Sequence, residues 1–455
     1  MLKKVLIANR GEIAVRIIRA CREMGIRTVA VYSETDKNSL HKQLADEAVC
    51  IGPGPSNRSY LNVKAIIEAA CLKGCDCIHP GYGFLSENSS FAKMCNEIGI
   101  KFIGPSSEMI ELMGNKSKAK DTMKKVGVPV VPGSDGLVKN VLEAIKVALK
   151  IGYPVILKAS AGGGGKGIRV AYNEKELVEF YDIVKQEAKI SFNDDSIYIE
   201  KFIENPRHIE IQILADEYGN CIHLGERDCT VQRKNQKLLE ETLSGVISEK
   251  LRERMGKVAV NAVKQIGYSS AGTIEFLVDK NKDFYFMEMN TRVQVEHPIT
   301  EIITGIDIIK EQFKIASNEK LNYRQENIKF IGHSLEARIN AENPDKNFMP
   351  SPGEIKELHI PGGNGIRIDT AIYSGYKIPS MYDSMIAKVI VHGKDRNESI
   401  LKMKSVLGEL VIDGINTNID FLYRILENKN FINNNYDTSF INKEFNMEVN
   451  YIDNR

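Results

Sequence analysis

The sequence predicts a chain of α/β and α+β class: a doubly wound parallel domain, a short glycine-rich segment, and a larger part whose sheet turns mixed or antiparallel. Three patterns predict this. Short apolar strands alternate with amphipathic helices at the start of the chain, the βαβ rhythm of a parallel sheet. Two prolines and a glycine in Val128-Pro129-Val130-Val131-Pro132-Gly133 break that rhythm. From Arg207 onward, alternating polar and apolar residues flank turn-forming segments, which is a hairpin signature. Residues 1–129, 130–203 and 204–455 are therefore expected as three units.

In the first unit, strands are expected at Lys4–Ala8, Thr28–Tyr32, Cys77–His79 and Lys101–Ile103, with helices at Gly11–Met24 and Val63–Leu72. Such sheets bind ligands beyond the carboxyl ends of their strands, where Asn9-Arg10-Gly11-Glu12 and His79-Pro80-Gly81-Tyr82-Gly83 stand. No GxGxxG follows the first strand, so a dinucleotide site is not predicted. The second unit reads as strand Pro154–Ala159, a glycine run and strand Ser196–Glu200. In the third, His208–Leu214 and Cys221–Leu224 flank the turn Asp216–Asn220, and a second hairpin spans Thr273–Asn290. The asparagine-rich tail from Asn428 is expected to cap the last unit or to fray.

Composition narrows the function classes. Lys plus Arg total 61 against 60 acidic residues, a net charge of +1, so no bulk field points to nucleic acid or an acidic membrane. Anion chemistry must come from local clusters. The apolar run after Lys3 and Lys4 ends at Asn9-Arg10, too soon for a secretory leader, and no stretch is long enough to span a bilayer. A soluble, cytoplasmic protein is expected. Cys71, Cys75 and Cys77 lack a second pair at zinc-ribbon spacing, so the eight cysteines read as reduced, mostly apolar side chains.

The first chemical motif is Ala159-Ser160-Ala161-Gly162-Gly163-Gly164-Gly165-Lys166-Gly167. Four consecutive glycines cost chain entropy but expose backbone N–H groups that can close over phosphate oxygens. Gly167 stands where a Walker A motif needs Ser or Thr, so this is a different phosphate loop, or else a hinge without a ligand. Lys158 on the preceding strand favours the nucleotide reading, and Lys116 is a further basic candidate.

The second motif is a pair of carboxylates. A symmetric hairpin turning near Asn281-Lys282 sets Glu275 directly opposite Glu288. Like charges facing each other destabilise a sheet unless something bridges them. A hard divalent cation would do so, with Asn290 as a further oxygen ligand, and magnesium is the expected ion because it shares itself between carboxylates and phosphates. Two solvated glutamates on an exposed face are the alternative. Arg292, Gln294 and Glu296 continue the parity of Glu288 and Asn290, so an extended backbone would line one face with five polar groups. A guanidinium beside the metal suits a small planar oxyanion, and Glu296 is a plausible general base.

Further clusters support a charged pocket. His208, Glu210 and Gln212 alternate with isoleucines, and Val231–Lys237 collects three cations and three amides, including Gln232, Asn235 and Lys237. Arg338 is uninformative alone.

These strings carry a resemblance. Ile7-Ala8-Asn9-Arg10-Gly11-Glu12-Ile13-Ala14, His79-Pro80-Gly81-Tyr82-Gly83-Phe84-Leu85-Ser86-Glu87-Asn88, Glu288-Met289-Asn290-Thr291-Arg292-Val293-Gln294-Val295-Glu296-His297-Pro298 and Met381-Tyr382-Asp383-Ser384-Met385-Ile386 span nearly the whole chain. With them the chain resembles the biotin carboxylases, ATP-grasp enzymes; related ATP-grasp ligases share the metal carboxylates but not the long strings. The resemblance implies an ATP-grasp fold after the parallel domain and a C-terminal biotin-carboxylase domain. It implies ATP contacts at Lys116, Lys158, Glu200, Lys201, Ile203, His208, Gln232, Asn235 and Leu277, under a lid made of Gly162, Gly163, Gly164, Gly165, Lys166 and Gly167. It implies metal positions at Glu275, Glu288 and Asn290, holding Mg2+ with Mn2+ able to substitute. Bicarbonate would meet Lys237, Arg292, Gln294, Val295 and Glu296, while Tyr82 and Arg338 would contact biotin. Lys237, Arg292, Glu296 and Arg338 would be the catalytic set.

The implied reaction is ATP-dependent carboxylation of biotin through carboxyphosphate, with Glu296 as base and Arg338 stabilising the ureido anion. The implied partners are a biotin carboxyl carrier protein, a carboxyltransferase subunit and a second copy of the chain. The final acceptor would be acetyl-CoA, for malonyl-CoA and fatty acid synthesis, or another acyl-CoA or pyruvate. Asn235 stands where many members have histidine, and Thr242-Leu243-Ser244 where an alanine-proline turn is usual. A carrier segment would show a lysine between methionines in an exposed turn, whereas Met403-Lys404-Ser405 has a helical pattern. Another ATP-grasp carboxylate–amine ligase and a nucleotide-binding homologue without turnover are the competing readings.

Overall fold

The computed structural model describes residues 2–159, 167–192 and 194–446. The first unit is the parallel sheet that its βαβ rhythm predicts. Its five strands lie in the order Glu47–Cys50, Arg27–Tyr32, Lys4–Ile7, Cys77–His79 and Lys101–Phe102. Val5, Leu6 and Ile7 are fully buried, as a central strand covered on both faces requires. The edge strand Glu47–Cys50 escapes the sequence pattern because it is only four residues long and half-buried to exposed. Helix Gly11–Glu23 sends Arg16 to Glu301 Oε1 (2.9 Å) and Asp307 Oδ1 (2.7 Å), tying the first unit to the third.

The second unit has its own small core. Strands Ile168–Ala171, Val155–Ala159 and Ile197–Lys201 form a three-stranded antiparallel sheet, backed by helices Val141–Ile151 and Glu174–Phe192. Ala144, Ala148, Leu157, Leu177, Val184 and Ile199 fill the space between.

One eight-stranded antiparallel sheet runs through the rest. Its order is Phe284–Asn290, Ser270–Val278, Arg207–Ala215, Cys221–Arg233, Gln236–Thr242, His333–Asn340, Met385–Gly393 and Ile366–Thr370. The alternation around His208 works as its period demands. Ile209, Ile211 and Ile213 point into a core with Met255, Ala259 and Val263 of helix Glu249–Ile266. Each fully buried isoleucine contributes about 1.5–3 kcal/mol of transfer free energy. Their polar neighbours are thereby turned to the other face, where the candidate site lies. Phe431, Tyr436, Phe440 and Ile441 are buried in the last core, so the described part of the tail caps it. All eight cysteines are free, and no helix among the described residues is long and apolar enough to cross a membrane.

Candidate active site

Chemistry-bearing side chains form a band across one face of the large sheet. Glu288 and Asn290 stand on the edge strand, then come Glu275, His208 and Glu210, Arg227 and Cys229, Lys237 and Glu240, Arg338, and finally Lys388. Sheet register is what joins residues so distant in sequence.

The hairpin pairs Thr273 with Asn290, Ile274 with Met289, and Glu275 with Glu288, the facing carboxylates that symmetry predicts. Beyond them Phe276 pairs with Phe286, so Met287 bulges out and the symmetric register ends. The two acids sit in different surroundings. Glu275 is 3% exposed, and His208 Nε2 (2.7 Å), Lys237 Nζ (3.2 Å), Asn290 Nδ2 (2.8 Å) and Gln294 Nε2 (2.8 Å) surround it. Burial opposes its charge, but Lys237 and His208 outweigh that and hold it well below the usual carboxylate range. Glu288 is more open, with Lys116 Nζ at 3.8 Å, and burial together with the Glu275 charge pushes its pKa up. Two hard oxygen donors on directly paired strand residues, one of them short of counter-charge, fit a divalent cation with Asn290 beside them. Donor atoms of His208, Glu210 and Glu275 also lie within 4.8 Å of one another. Arg227 and Lys237 already close that second cluster, so the open partner for Glu275 is Glu288.

Arg227 was not anticipated. It is fully buried and donates to Glu210 Oε1 (2.5 Å), Gln212 Oε1 (2.7 Å), Thr300 Oγ1 (3.0 Å), Thr273 Oγ1 (3.1 Å) and Gln294 Oε1 (2.7 Å). A register shift between His223 and Glu226 places it opposite Glu210, and Gly225 at φ 80° sits in that bulge. A Cβ on Gly225 would meet the Phe330 ring at 2.8 Å. A glycine inside a strand pattern was the available signal.

Past Asn290 the backbone departs from the extended course expected of it. The strand ends there, residues 295–296 form a turn, and Glu296 stands at the N-terminal boundary of helix His297–Thr304 without a side-chain capping bond, while Pro298 suits a helix start. Arg292, Gln294 and Glu296 still converge, through the turn rather than through parity. Glu296 is 2% exposed and is clasped by Lys237 Nζ (2.6 Å) and Arg338 Nη2 (3.0 Å). Against burial, Lys237, Arg338 and Arg227 hold it well below the usual carboxylate range. Burial and the Glu296 charge instead push Glu240, which accepts from Arg338 Nε at 2.5 Å, up to about 7. Arg292 donates to Glu87 Oε2 (2.8 Å) and Asn290 Oδ1 (2.8 Å), so Glu87 is a further unanticipated member. Tyr82 donates its O–H to Glu12, and Lys388 bridges Glu12 (3.1 Å) to the Val295 carbonyl (2.7 Å).

The remaining predicted positions divide. Lys158 Nζ reaches Glu200 Oε2 at 2.7 Å, with Lys120 on the same carboxylate. Leu277 pairs with His208 on the face of Glu275, and Gln232 pairs with Lys237. Asn235 occupies a turn at φ 63°, exposed at the rim. Half-buried Ile203 follows the strand Ile197–Lys201. The Lys201 ammonium turns instead to the carbonyls of Gly152 (3.2 Å) and Tyr153 (2.7 Å). Gly167 adopts φ 68° against Ala159, while Gly162, Gly163, Gly164, Gly165 and Lys166 lie outside the described residues.

Family models match the chain in sequence order: Biotin carboxylase, N-terminal domain over residues 1–110; Carbamoyl-phosphate synthase L chain, ATP binding domain over 115–324; and Biotin carboxylase C-terminal domain over 336–443. Biotin carboxylase 1 of Bacillus subtilis (strain 168) is 59% identical over 97% of this chain and 98% of its own length. The chain belongs to the biotin carboxylase family. Biotin carboxylase of Pseudomonas aeruginosa is 52% identical over 98% of this chain and all of its own. The Campylobacter jejuni biotin carboxylase–βγ-ATP complex superposes with a TM-score of 0.91 at 52% identity, covering 98% of this chain and 99% of that one. The biotin carboxylase domain dimer of Hydrogenobacter thermophilus 2-oxoglutarate carboxylase, in complex with MgADP, ADP and bicarbonate, gives 0.90 at 52% identity over 97% and 98%. The ATP-grasp expectation is thereby met.

Proposed function

We propose that this biotin carboxylase family member is a ligase that carboxylates biotin with ATP and bicarbonate, and that the band across the large sheet is where it does so. The observation that carries this reading is Glu296, a buried carboxylate held between Lys237 and Arg338 beside the Glu275–Glu288 pair. Its position suits a base that meets bicarbonate on one side and the ureido acceptor on the other.

Bicarbonate is held by Lys237, Arg292, Gln294 and Val295, and Glu296 removes its proton. The oxyanion attacks the γ-phosphoryl group of ATP, the bond to ADP breaks, and carboxyphosphate forms. Mg2+ held by Glu275, Glu288 and Asn290 supplies neutralisation of phosphate charge. Lys116, Lys158 and the lid Gly162–Gly167 position the phosphates, with Glu200, Lys201, Ile203, His208, Gln232, Asn235 and Leu277 around the rest of the nucleotide. Carboxyphosphate splits into carbon dioxide and phosphate, the phosphate takes the biotin N–H proton, and the nitrogen adds to carbon dioxide. Arg338 stabilises the ureido anion between those steps, and Tyr82 frames the biotin. Glu296 is ionised in the free protein, and its basicity rises as bicarbonate draws Lys237 and biotin draws Arg338 away from it.

The biotin is carried on a separate carrier protein, with a carboxyltransferase downstream. In support, Met403-Lys404-Ser405 lies within helix Arg396–Glu409 instead of an exposed turn. The final acceptor is acetyl-CoA, with malonyl-CoA and fatty acid synthesis as the outcome, or another acyl-CoA or pyruvate, and the carboxyltransferase makes that choice. A homodimer in the cytoplasm is the proposed working form. The decisive experiment measures phosphate release from MgATP with and without bicarbonate and free biotin. Release should rise with both; release indifferent to biotin from folded protein would remove the reading. An amine or ribotide requirement would instead establish a carboxylate–amine ligase.

A further inference from the structure

The turn carrying the bicarbonate residues is pinned by two buried side chains that the reaction scheme leaves idle. Lys388 is fully buried, on a strand face between Ile386 and Ile390, where the pattern calls for an apolar residue. Its ammonium donates to the Val295 carbonyl at 2.7 Å, with Glu12 at 3.1 Å and Asp369 at 4.0 Å as counter-charges. His297, also fully buried, places Nδ1 2.7 Å from the Gln294 carbonyl. A carbonyl only accepts, so Nδ1 carries the proton. Burial and the nearby Lys388, Arg16 and Arg367 charges keep the ring neutral, which that tautomer allows.

Peptide planarity gives this pinning a direction. In a trans peptide the C=O and the following N–H point opposite ways, so fixing the Gln294 carbonyl on His297 aims the Val295 N–H away from His297. Lys388 fixes the next carbonyl, and the Val295 residue is held from both sides. Among the described residues the Val295 N–H has no hydrogen-bond acceptor. Its neighbours in the turn, Gln294 and Glu296, are anchored by Arg227 and Lys237.

We infer that Lys388 and His297 are positioning residues that together aim the Val295 N–H at bicarbonate, supplying a backbone donor beside Lys237 and Arg292. This rests on the proposed reaction. Neither side chain touches the reacting atoms, so each acts through the backbone. Glu12 is the part of the device that keeps Lys388 charged in the interior, and Tyr82 holds Glu12.

The test compares bicarbonate KM, ATP affinity and thermal melting in His297→Asn, His297→Leu and the double variant Lys388→Met/Glu12→Gln. Asparagine keeps a donor near the Nδ1 position and leucine does not; the double variant removes the ammonium without stranding the Glu12 charge. For folded protein with unchanged ATP affinity, bicarbonate KM should rise about tenfold or more in His297→Leu and in the double variant, and stay within about threefold in His297→Asn. A bicarbonate KM unchanged in either folded variant would overturn the inference, as would equal losses in His297→Asn and His297→Leu. Should one of the two disruptive variants fail to fold, the other decides by the same criterion. A parent protein whose turnover ignores bicarbonate altogether would overturn the functional reading, and this inference with it.

Discussion

The two ends of the site are built differently. At one end Glu296 is 2% exposed, with Lys237 at 2.6 Å and Arg338 at 3.0 Å. At the other, the Glu288 side chain is 40% exposed, and its nearest cation among the described residues, Lys116, is 79% exposed at 3.8 Å. The closed end supplies its own counter-charges and is set before any substrate arrives, as preorganised electrostatic catalysis requires. The open end leaves one carboxylate undercompensated, awaiting charge from solution. A cation arriving with its nucleotide is the natural complement.

Breaking the closed end should have the largest effect. Glu296→Ala is expected to lower bicarbonate-dependent turnover at least about 100-fold while sparing ATP binding, since general-base contributions run about 10²–10⁴-fold. Unchanged turnover would refute its role as base. Arg338→Gln should remove most of the biotin stimulation and leave basal ATP hydrolysis nearly intact; equal losses in both would contradict a role at the acceptor. Arg227→Leu should cost stability, about 3–5 kcal/mol, because Glu210 would remain buried with half its partners gone. Denaturant melts would show it, and a variant as stable as the parent would mean that Glu210 finds another partner.

The open end should respond more gently and with the opposite sign. Glu288 has a raised folded-state pKa, so its ionisation weakens the metal-free protein as pH climbs through that value. Glu288→Gln should therefore melt slightly higher than the parent at pH 7 without metal, and the gap should close below roughly pH 4.3, the ordinary glutamate value. Added Mg2+ should stabilise the parent more than the variant. A variant less stable at neutral pH would show that Glu288 is already well compensated.

The contrast also explains what the sequence could reveal. The parallel sheet, the hairpins and the facing of Glu275 and Glu288 follow from periodicity and turn residues, since strand parity is a local rule. Arg227 was hidden because a bulge at Gly225 shifts the register by one residue, and a single shift changes every later partner. Arg292, Gln294 and Glu296 do gather as strand parity expects, but by a route other than an extended backbone, because the helix begun at His297 turns the chain. Lys388 was illegible for another reason. It sits in an apolar run, and only a contact with a carbonyl far away in sequence gives it a purpose. Strings such as Gln294-Val295-Glu296-His297-Pro298 carry that long-range information as family resemblance, without the physics behind it.

The most direct test of the account uses Mn2+ as a visible substitute for Mg2+. Crystals grown with Mn2+ and a non-hydrolysable ATP analogue should show anomalous density between the Glu275 and Glu288 carboxylates, touching the analogue's phosphates. Density elsewhere, with those two carboxylates turned apart into solvent, would contradict it.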